Sequence, residues 1–385
     1  MIKYLVTFFL LVSAALGQVQ SIDEDILFHA AGIKTPAAGP VGDKSLTLIV
    51  TNSVIDGDLT GTIPICVYLS SSSGLGNTDV TDVFTELGAS SNKIAVTQDG
   101  TSLPIEVEYY NETEEQAVLW VGAASLSNAA VTELTLTYNS TDSANSDLGG
   151  LHSDTATNVW AADWRSVYHF AGNTATNLDS AAARLHAPAV SGEASLTNGI
   201  VGCPHTSYQI ADPTANNSYE TTSTDTYLAE LTVMCWVYWV TDPNGSARHI
   251  DRWGGSSGNS EYLLTTRQDG STDLYRFAIY NGNFDIFDSG GLGNTLWHSG
   301  ILAYKNDGAA SEGRAWVNDS QLGTTHTGGD IPDRNLSIDF NSQTGTGTHT
   351  FRLDEAWEAL NELSDAYIQM LDDNCRDEMI YYTVN

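Results

Sequence analysis

Short runs rich in Val, Ile, Thr and aromatic residues recur along the chain, separated by clusters of Gly, Asn, Asp and Ser. In the first half they fall at Leu46–Thr51, Ile63–Leu69, Lys93–Thr97, Ile105–Tyr110, Ala117–Val121 and Glu133–Tyr138. Such runs fit a pleated, half-buried surface, and their spacing predicts antiparallel strands. Thr132–Tyr138 alternates polar and apolar strictly, so one of its faces is expected to be buried and the other wet. Strand-like runs resume at Arg165–Phe170, Ser207–Ile210, Leu231–Val240, Tyr262–Thr266, Tyr275–Tyr280, Trp297–Tyr304, Gly313–Asn318, Leu336–Phe340 and Phe351–Trp357. Leu231–Val240 is apolar on both faces: Trp236 alternates with Met234 and Tyr238, and Cys235 with Val237 and Trp239. That is the pattern of a strand sandwiched between two layers. The helix candidate in this half is Ser364–Asn374, where Ser364 can cap and Ala366, Tyr367, Met370 and Leu371 share a face.

From Asn139 to Asn158 the chain turns small and polar, which is linker composition. The expected architecture is therefore all-β: two consecutive antiparallel β-sandwiches, residues 18–158 and 159–385, the second closed by one short C-terminal helix. Residues 1–17 carry Lys3, an apolar run from Leu5 to Leu16 and a small-residue ending, the parts of a signal peptide. A membrane anchor needs about 20 apolar residues, and polar Gln18–Asp23 follows too soon. The expected location is extracellular, with no membrane span after cleavage.

Lys and Arg number 15 against 48 Asp and Glu, a net charge of −33. Nucleic-acid binding needs cationic surface to displace phosphate counterions, so that partner is disfavoured. Most of the acidity reads as solubility, and the sharper alternative is cation binding at a few clustered carboxylates. The four cysteines, Cys66, Cys203, Cys235 and Cys375, permit two disulfides in three connectivities in an oxidising compartment. A free buried thiol is the competing reading for Cys235, because it lies inside a strand.

Ser45–Thr60 followed by Ile63–Leu69 resembles the opening of a domain-of-unknown-function family found in secreted proteins. Its later landmarks are Leu103-Pro-Ile-Glu-Val-Glu108, Ala117-Val-Leu-Trp-Val-Gly122, Thr135–Tyr138, and Asn158-Val-Trp160 leading to Ser166-Val-Tyr-His-Phe170. That family typically precedes a laminin G-like (concanavalin A-like) jelly roll, and the second half is similar to one. The similarity rests on Leu231–Tyr238, Trp297-His298, Arg314–Leu322, and Leu353-Asp-Glu-Ala-Trp357 before Leu363–Ile368. Asp319 stands where the family hairpin has glycine, although Asn and Asp tolerate left-handed turns. The resemblance implies a lectin-like sandwich, and often a calcium ion at its rim, for which Asp212 or Asp354 are the candidate ligands.

The same fold hosts glucanases, whose retaining sites need two carboxylates about 5.5 Å apart. In Asp354-Glu355-Ala356-Trp357-Glu358, regular alternation puts Asp354 and Glu358 on one face with Ala356 between them and Glu355 opposite. Gly254-Gly-Ser-Ser-Gly258 spells G-x-S-x-G, but it lacks the strand and helix of a nucleophile elbow and reads as a loop. The nine histidines show no metal-ligand spacing, and His169 and His298 sit where packing is expected.

What remains is binding. Sugar rings offer apolar faces to aromatic side chains, and their hydroxyls need Asp, Asn and Arg. Two expected loops mix these types: Arg248–Gly254, giving Asp251, Arg252 and Trp253, and Tyr280–Asp285, giving Tyr280 and Asp285. Trp253 as mere cover for the sandwich edge is the competing reading. The expected function is a secreted, non-enzymatic glycan-binding or surface-recognition protein whose partner is a carbohydrate or cell-surface glycan. A structural part in a cell-surface or virion assembly, through self-association or contact with other surface proteins, is the alternative, and a polysaccharide hydrolase or lyase the third.

Overall fold

A computed structural model describes residues 44–160, 164–170 and 351–385 and, between 171 and 350, the strands named below with short flanking pieces, some as backbone only. Residues 1–17, Cys203, Asp212 and Gly254–Gly258 lie outside the described residues.

The alternating runs become four main sheets. In the five-stranded sheet the order is Ile380–Val384, Lys44–Val50, Thr132–Tyr138, Ile94–Gln98 and Thr101–Ser102. The four-stranded sheet runs Leu59–Leu69, Gln116–Leu126, Ile105–Asn111 and Leu148–Gly150. Its last pair is parallel; the other described pairings are antiparallel. A nine-stranded sheet centres on Phe351–Ala359, Glu230–Trp239, Trp297–Lys305 and Ser311–Val317, with Trp164–Tyr168 also on Phe351–Ala359. A six-stranded sheet centres on Ser246–Trp253, Ser260–Asp269, Thr272–Tyr280 and Phe284–Asp288. The chain is all-β, as its periodicity predicts.

One apolar core joins the first two sheets through Leu48, Val67, Leu119 and Leu136, and continues without a break into Met234, Trp236, Trp316 and Trp357. A second joins the larger sheets through Val233, Val237, Trp239, Leu264 and Phe277. Glu230–Trp239 therefore buries both faces, which explains its lack of polar alternation.

The helix forms at Asp365–Cys375, where the Ser364 side chain accepts from the Tyr367 backbone N–H. At the Arg314–Leu322 hairpin, Asn318 and Asp319 have φ of 49° and 64°, the left-handed pair a tight primed turn requires. The missing glycine is tolerated there.

Two expectations are corrected. None of Cys66, Cys235 and Cys375 is in a disulfide. Cys235 is a fully buried thiol 3.2 Å from the Tyr275 hydroxyl, pushed up to about 12 by burial; low-dielectric surroundings disfavour the thiolate. Asp354 and Glu358 do not share a face. Trp236 pairs with Asp354 and Cys235 with Ala356, so Glu355 is an extra residue in the ladder. Its φ is 47°. This bulge inverts the alternation beyond it: Asp354 lies opposite Trp236 of the first core, while Glu358 lies opposite Val233 of the second.

Candidate functional site

The bulge aims Glu355 at His169, just past the end of Trp164–Tyr168. Both oxygens of Glu355 lie 2.9 Å from His169 Nδ1. Glu108 Oε2 stands 3.7 Å from the same nitrogen, and Glu106 Oε2 stands 3.4 Å from Nε2. The two glutamates come from Ile105–Asn111, which bulges between Val107 and Tyr109. His169, Glu106 and Glu355 are fully buried, and Glu108 is 6% exposed.

Three indoles close the cluster. Trp160 Nε1 donates to Glu106 at 2.6 Å, Trp120 Nε1 to Glu108 at 2.8 Å and Trp357 Nε1 to Glu355 at 2.6 Å. Their rings pack with centroids 5.2 to 5.4 Å apart. Glu106 also accepts from the Ser180 hydroxyl and the His152 backbone N–H. Burial pushes the Glu106 carboxyl up, but the His169 charge and these donors overcome it and hold the group down at about 2. Burial opposes a charged His169 ring, yet Glu355 and Glu106 raise it well above the ordinary histidine range. For Glu355, burial wins over the pull of His169 and the group is raised.

A second carboxylate group runs from the surface inward, with Asp319 exposed, Asp373 half-buried and Asp372 buried. Asp319 at the hairpin turn and Asp372 and Asp373 on the C-terminal helix bring oxygens within 4.8 Å of one another. Beside them is a cleft of about 450 Å³, lined by Ser53, Val54, Ile55, Asp56, Asp319, Gln369 and Asp373. Burial and the charges of Asp372 and Asp373 push Asp319 up to about 7. Burial, Asp372 and Glu378 push Asp373 to about 6. Asp372 Oδ2 accepts from Arg376 Nε at 2.9 Å, while its buried Oδ1 has no hydrogen-bond partner.

The residues expected to bind sugar are dispersed differently from the loops expected. Arg248–Gly254 is strand as far as Trp253. Asp251 and Arg252 are fully buried, and Arg252 pairs with Glu261 at 2.6 Å and donates to the Leu336 carbonyl. Inward burial removes both from solvent, a correction to their expected exposure. Strand register places Arg252, Tyr262, Ile279 and Asp285 in one row. Trp253, Tyr280 and Asp285 thus fall at one end of the six-stranded sheet, Tyr280 half-buried and the side chains of Trp253 and Asp285 outside the described ones. Asp354 is fully buried and so is not at a rim.

Neither carboxylate group is evident from spacing. One signal was present for the buried one: Glu106 and Glu108 alternate with Ile105 and Val107 in an otherwise apolar strand. The cleft is assembled from segments more than 250 residues apart, and no local pattern marks it.

No family model matches the chain, and no curated protein does. Among solved structures, it is similar to the binding domain of Paraclostridial Mosquitocidal Protein 1, with a TM-score of 0.43, 10% identity, and coverage of 55% of this chain and 52% of that one. Similar values relate it to the botulinum neurotoxin type G receptor binding domain: TM-score 0.41, 13% identity, 55% and 51%. A botulinum neurotoxin type C structure, whose cell entry depends on two ganglioside molecules, gives 0.42, 13%, 55% and 51%. The chain spans about half the length of these structures.

Proposed function

We propose that the chain is a non-enzymatic recognition protein acting outside the cell, its second half a laminin G-like jelly roll, and that a surface glycan binds with the help of calcium where Asp319 and the C-terminal helix of that half meet Ser53–Asp56 of the first. The acidic cleft is the observation that carries this reading. Its hydroxyl, amide and carboxylate groups, on Ser53, Gln369, Asp56, Asp319 and Asp373, converge beside Val54 and Ile55, the mixture of acceptors and apolar surface that a polyhydroxylated ring needs. Crowded carboxylates with an unbonded buried oxygen are also the donor chemistry of a hard cation. Two facts weigh against hydrolysis on the large sheet. The face that carries Met234, Trp236 and Trp357 is packed into the first core. Glu358, on the other face, is fully buried, 3.3 Å from Arg165 and bonded to the Tyr262 hydroxyl.

A glycan array at millimolar calcium tests the proposal on the wild type and on Asp319→Asn/Asp373→Asn and Trp253→Ala. Calcium-dependent binding that falls at least about tenfold in the aspartate variant supports it. Loss in Trp253→Ala alone moves the sugar to the end of the six-stranded sheet and overturns the cleft assignment. Absence of binding to any glycan overturns the reading as a whole.

A further inference from the structure

The nine-stranded sheet leaves one row of side chains half covered. On the face that Met234 and Trp236 turn to the first core, Tyr238 is the next position along Glu230–Trp239. Register puts Trp297 beside it on one neighbouring strand and Arg352 on the other. All three are half-buried. Leu296, just before Trp297, is 57% exposed, the most of any large apolar side chain among the described residues. The Trp297 and Tyr238 rings lie 5.5 Å apart at 54°, and the Arg352 guanidinium carbon stands 4.8 Å from the Tyr238 ring centre.

This row adjoins the acidic cleft. The Asn318 side-chain oxygen accepts from the Ser299 backbone N–H, and the Asn318 backbone N–H donates to the Ser299 hydroxyl, both at 3.1 Å. The Asn318-Asp319 turn is thereby fixed one step from Trp297. Ser299 pairs with Trp236, and the Arg376 guanidinium carbon lies 4.7 Å from the centre of that indole. Arg376 in turn donates to Asp372 at 2.9 Å and to Asn318 at 3.3 Å. Two residues of strand separate Trp236 from Tyr238 and Ser299 from Trp297, a rise of about 7 Å, the scale of one sugar ring. Over that step the chemistry changes. The cleft is lined mainly by acceptors, those of Asp56, Asp319 and Asp373. The row is built of donor types on apolar bodies: an indole N–H, a phenol and a guanidinium.

We propose that Trp297, Tyr238 and Arg352 form a second glycan subsite, which takes one ring of a neutral oligosaccharide while the adjoining ring lies in the acidic cleft; this rests on the reading of the cleft as a glycan site. The Trp297 indole supports the apolar face of the ring, and the donors of the row meet its hydroxyl oxygens. A neutral chain is favoured because the net charge is −33 and the cleft is lined by carboxylates, so an anionic glycan is repelled on approach. A protein partner is disfavoured by size, since a stable interface takes about 800 Å² from each side, more than three half-buried side chains present.

Calorimetric titration of the full-length protein at millimolar calcium, with the mono-, di- and trisaccharides of the cello, malto, laminari and manno series, is the test. In at least one series the disaccharide is expected to bind about tenfold more tightly than the monosaccharide. Trp297→Ala is expected to erase that gain, Trp297→Phe to retain most of it, and Asp319→Asn/Asp373→Asn to lose binding of both sugars. Should Trp297→Ala fail to fold, fluorotryptophan labelling of the wild type serves instead: the fluorine resonance that Trp297→Phe removes is expected to shift with the disaccharide and to stay in place with the monosaccharide. Binding without a gain from chain length, or a gain that survives in Trp297→Ala, overturns the subsite and leaves the cleft reading standing. Tighter binding of sialyllactose than of lactose overturns the neutral class. Absence of binding in every series overturns the cleft reading and the subsite with it.

Discussion

The chain holds two gatherings of carboxylates that solve like-charge crowding in opposite ways. Around His169, acids are taken out of water, and Glu106, Glu108 and Glu355 each accept from an indole, with hydroxyl and backbone donors added at Glu106 and the imidazole at Glu355. Around Asp319, Asp319 and Asp373 keep access to water, which screens part of the repulsion, and the remainder shows as raised affinity for protons. Interior acids contribute to stability through specific partners and become costly when a partner is removed. Surface acids contribute little to stability and remain available to a ligand.

The contrast breaks most sharply at His169. His169→Ala is expected to lose about 3–5 kcal/mol or more, because it strands buried carboxylates; urea unfolding measures the loss, and a value under about 1 kcal/mol would show that the cluster is not a stability element. The same logic applies to the interior pair Arg252–Glu261. Arg252→Met alone is expected to cost about 3 kcal/mol, and adding Glu261→Leu is expected to restore much of it, since an apolar pair can replace a buried ionic one. Similar losses for the single and double variants would contradict this.

Asp377 sits between the two extremes. Burial pushes it up to about 7 although the Gly74 backbone N–H donates to it at 2.6 Å. A carboxyl whose folded pKa is raised keeps its proton longer in the native state, so stability falls as pH rises from about 4 to about 7. Asp377→Asn keeps a side chain tolerant of its φ of 59° and is expected to flatten that decline, gaining about 1–2 kcal/mol at pH 8 and little at pH 4. Denaturant midpoints across that range are the measurement, and parallel profiles for wild type and variant would refute the assignment. The smallest effect belongs to the cleft: Asp319, also raised but more exposed to screening water, is expected on replacement by Asn to gain less than about 1 kcal/mol at pH 8 and nothing measurable at pH 4. A larger change would make Asp319 part of the structural framework.

Strands, helix and turn were legible in the sequence because each follows from local chemistry: the period of two, the Ser364 cap, the left-handed tolerance of Asn318-Asp319. Failures came where a residue breaks the local rule. Arg248–Arg252 looks like a loop because it is charged, yet its arginine turns inward onto Glu261 of the neighbouring strand. The face shared by Asp354 and Glu358 vanished because one bulge at Glu355 inverts the count. Segments from both resemblances, Leu103–Glu108, Ala117–Gly122, Asn158–Trp160 and Ser166–Phe170 from the first family and Leu353–Trp357 from the jelly roll, supply Glu106, Glu108, Trp120, Trp160, His169, Glu355 and Trp357. Five dispersed motifs thus report one three-dimensional object, which spacing along the chain could not reveal.

The strand Ile380–Val384 lies beside Lys44–Val50, pairing Leu46 with Val384 and Val50 with Ile380. It is locked by Gly74, whose φ is 64° and where any Cβ would fall 2.1 Å from the Ile380 carbonyl. The sheet that contains Lys44–Val50 is therefore completed on that side only when Ile380–Val384 joins it. Contacts of such long sequence separation form slowly, and an unfilled edge invites wrong partners. Removal of Ile380–Val384 would leave Lys44–Val50 as an open sheet edge.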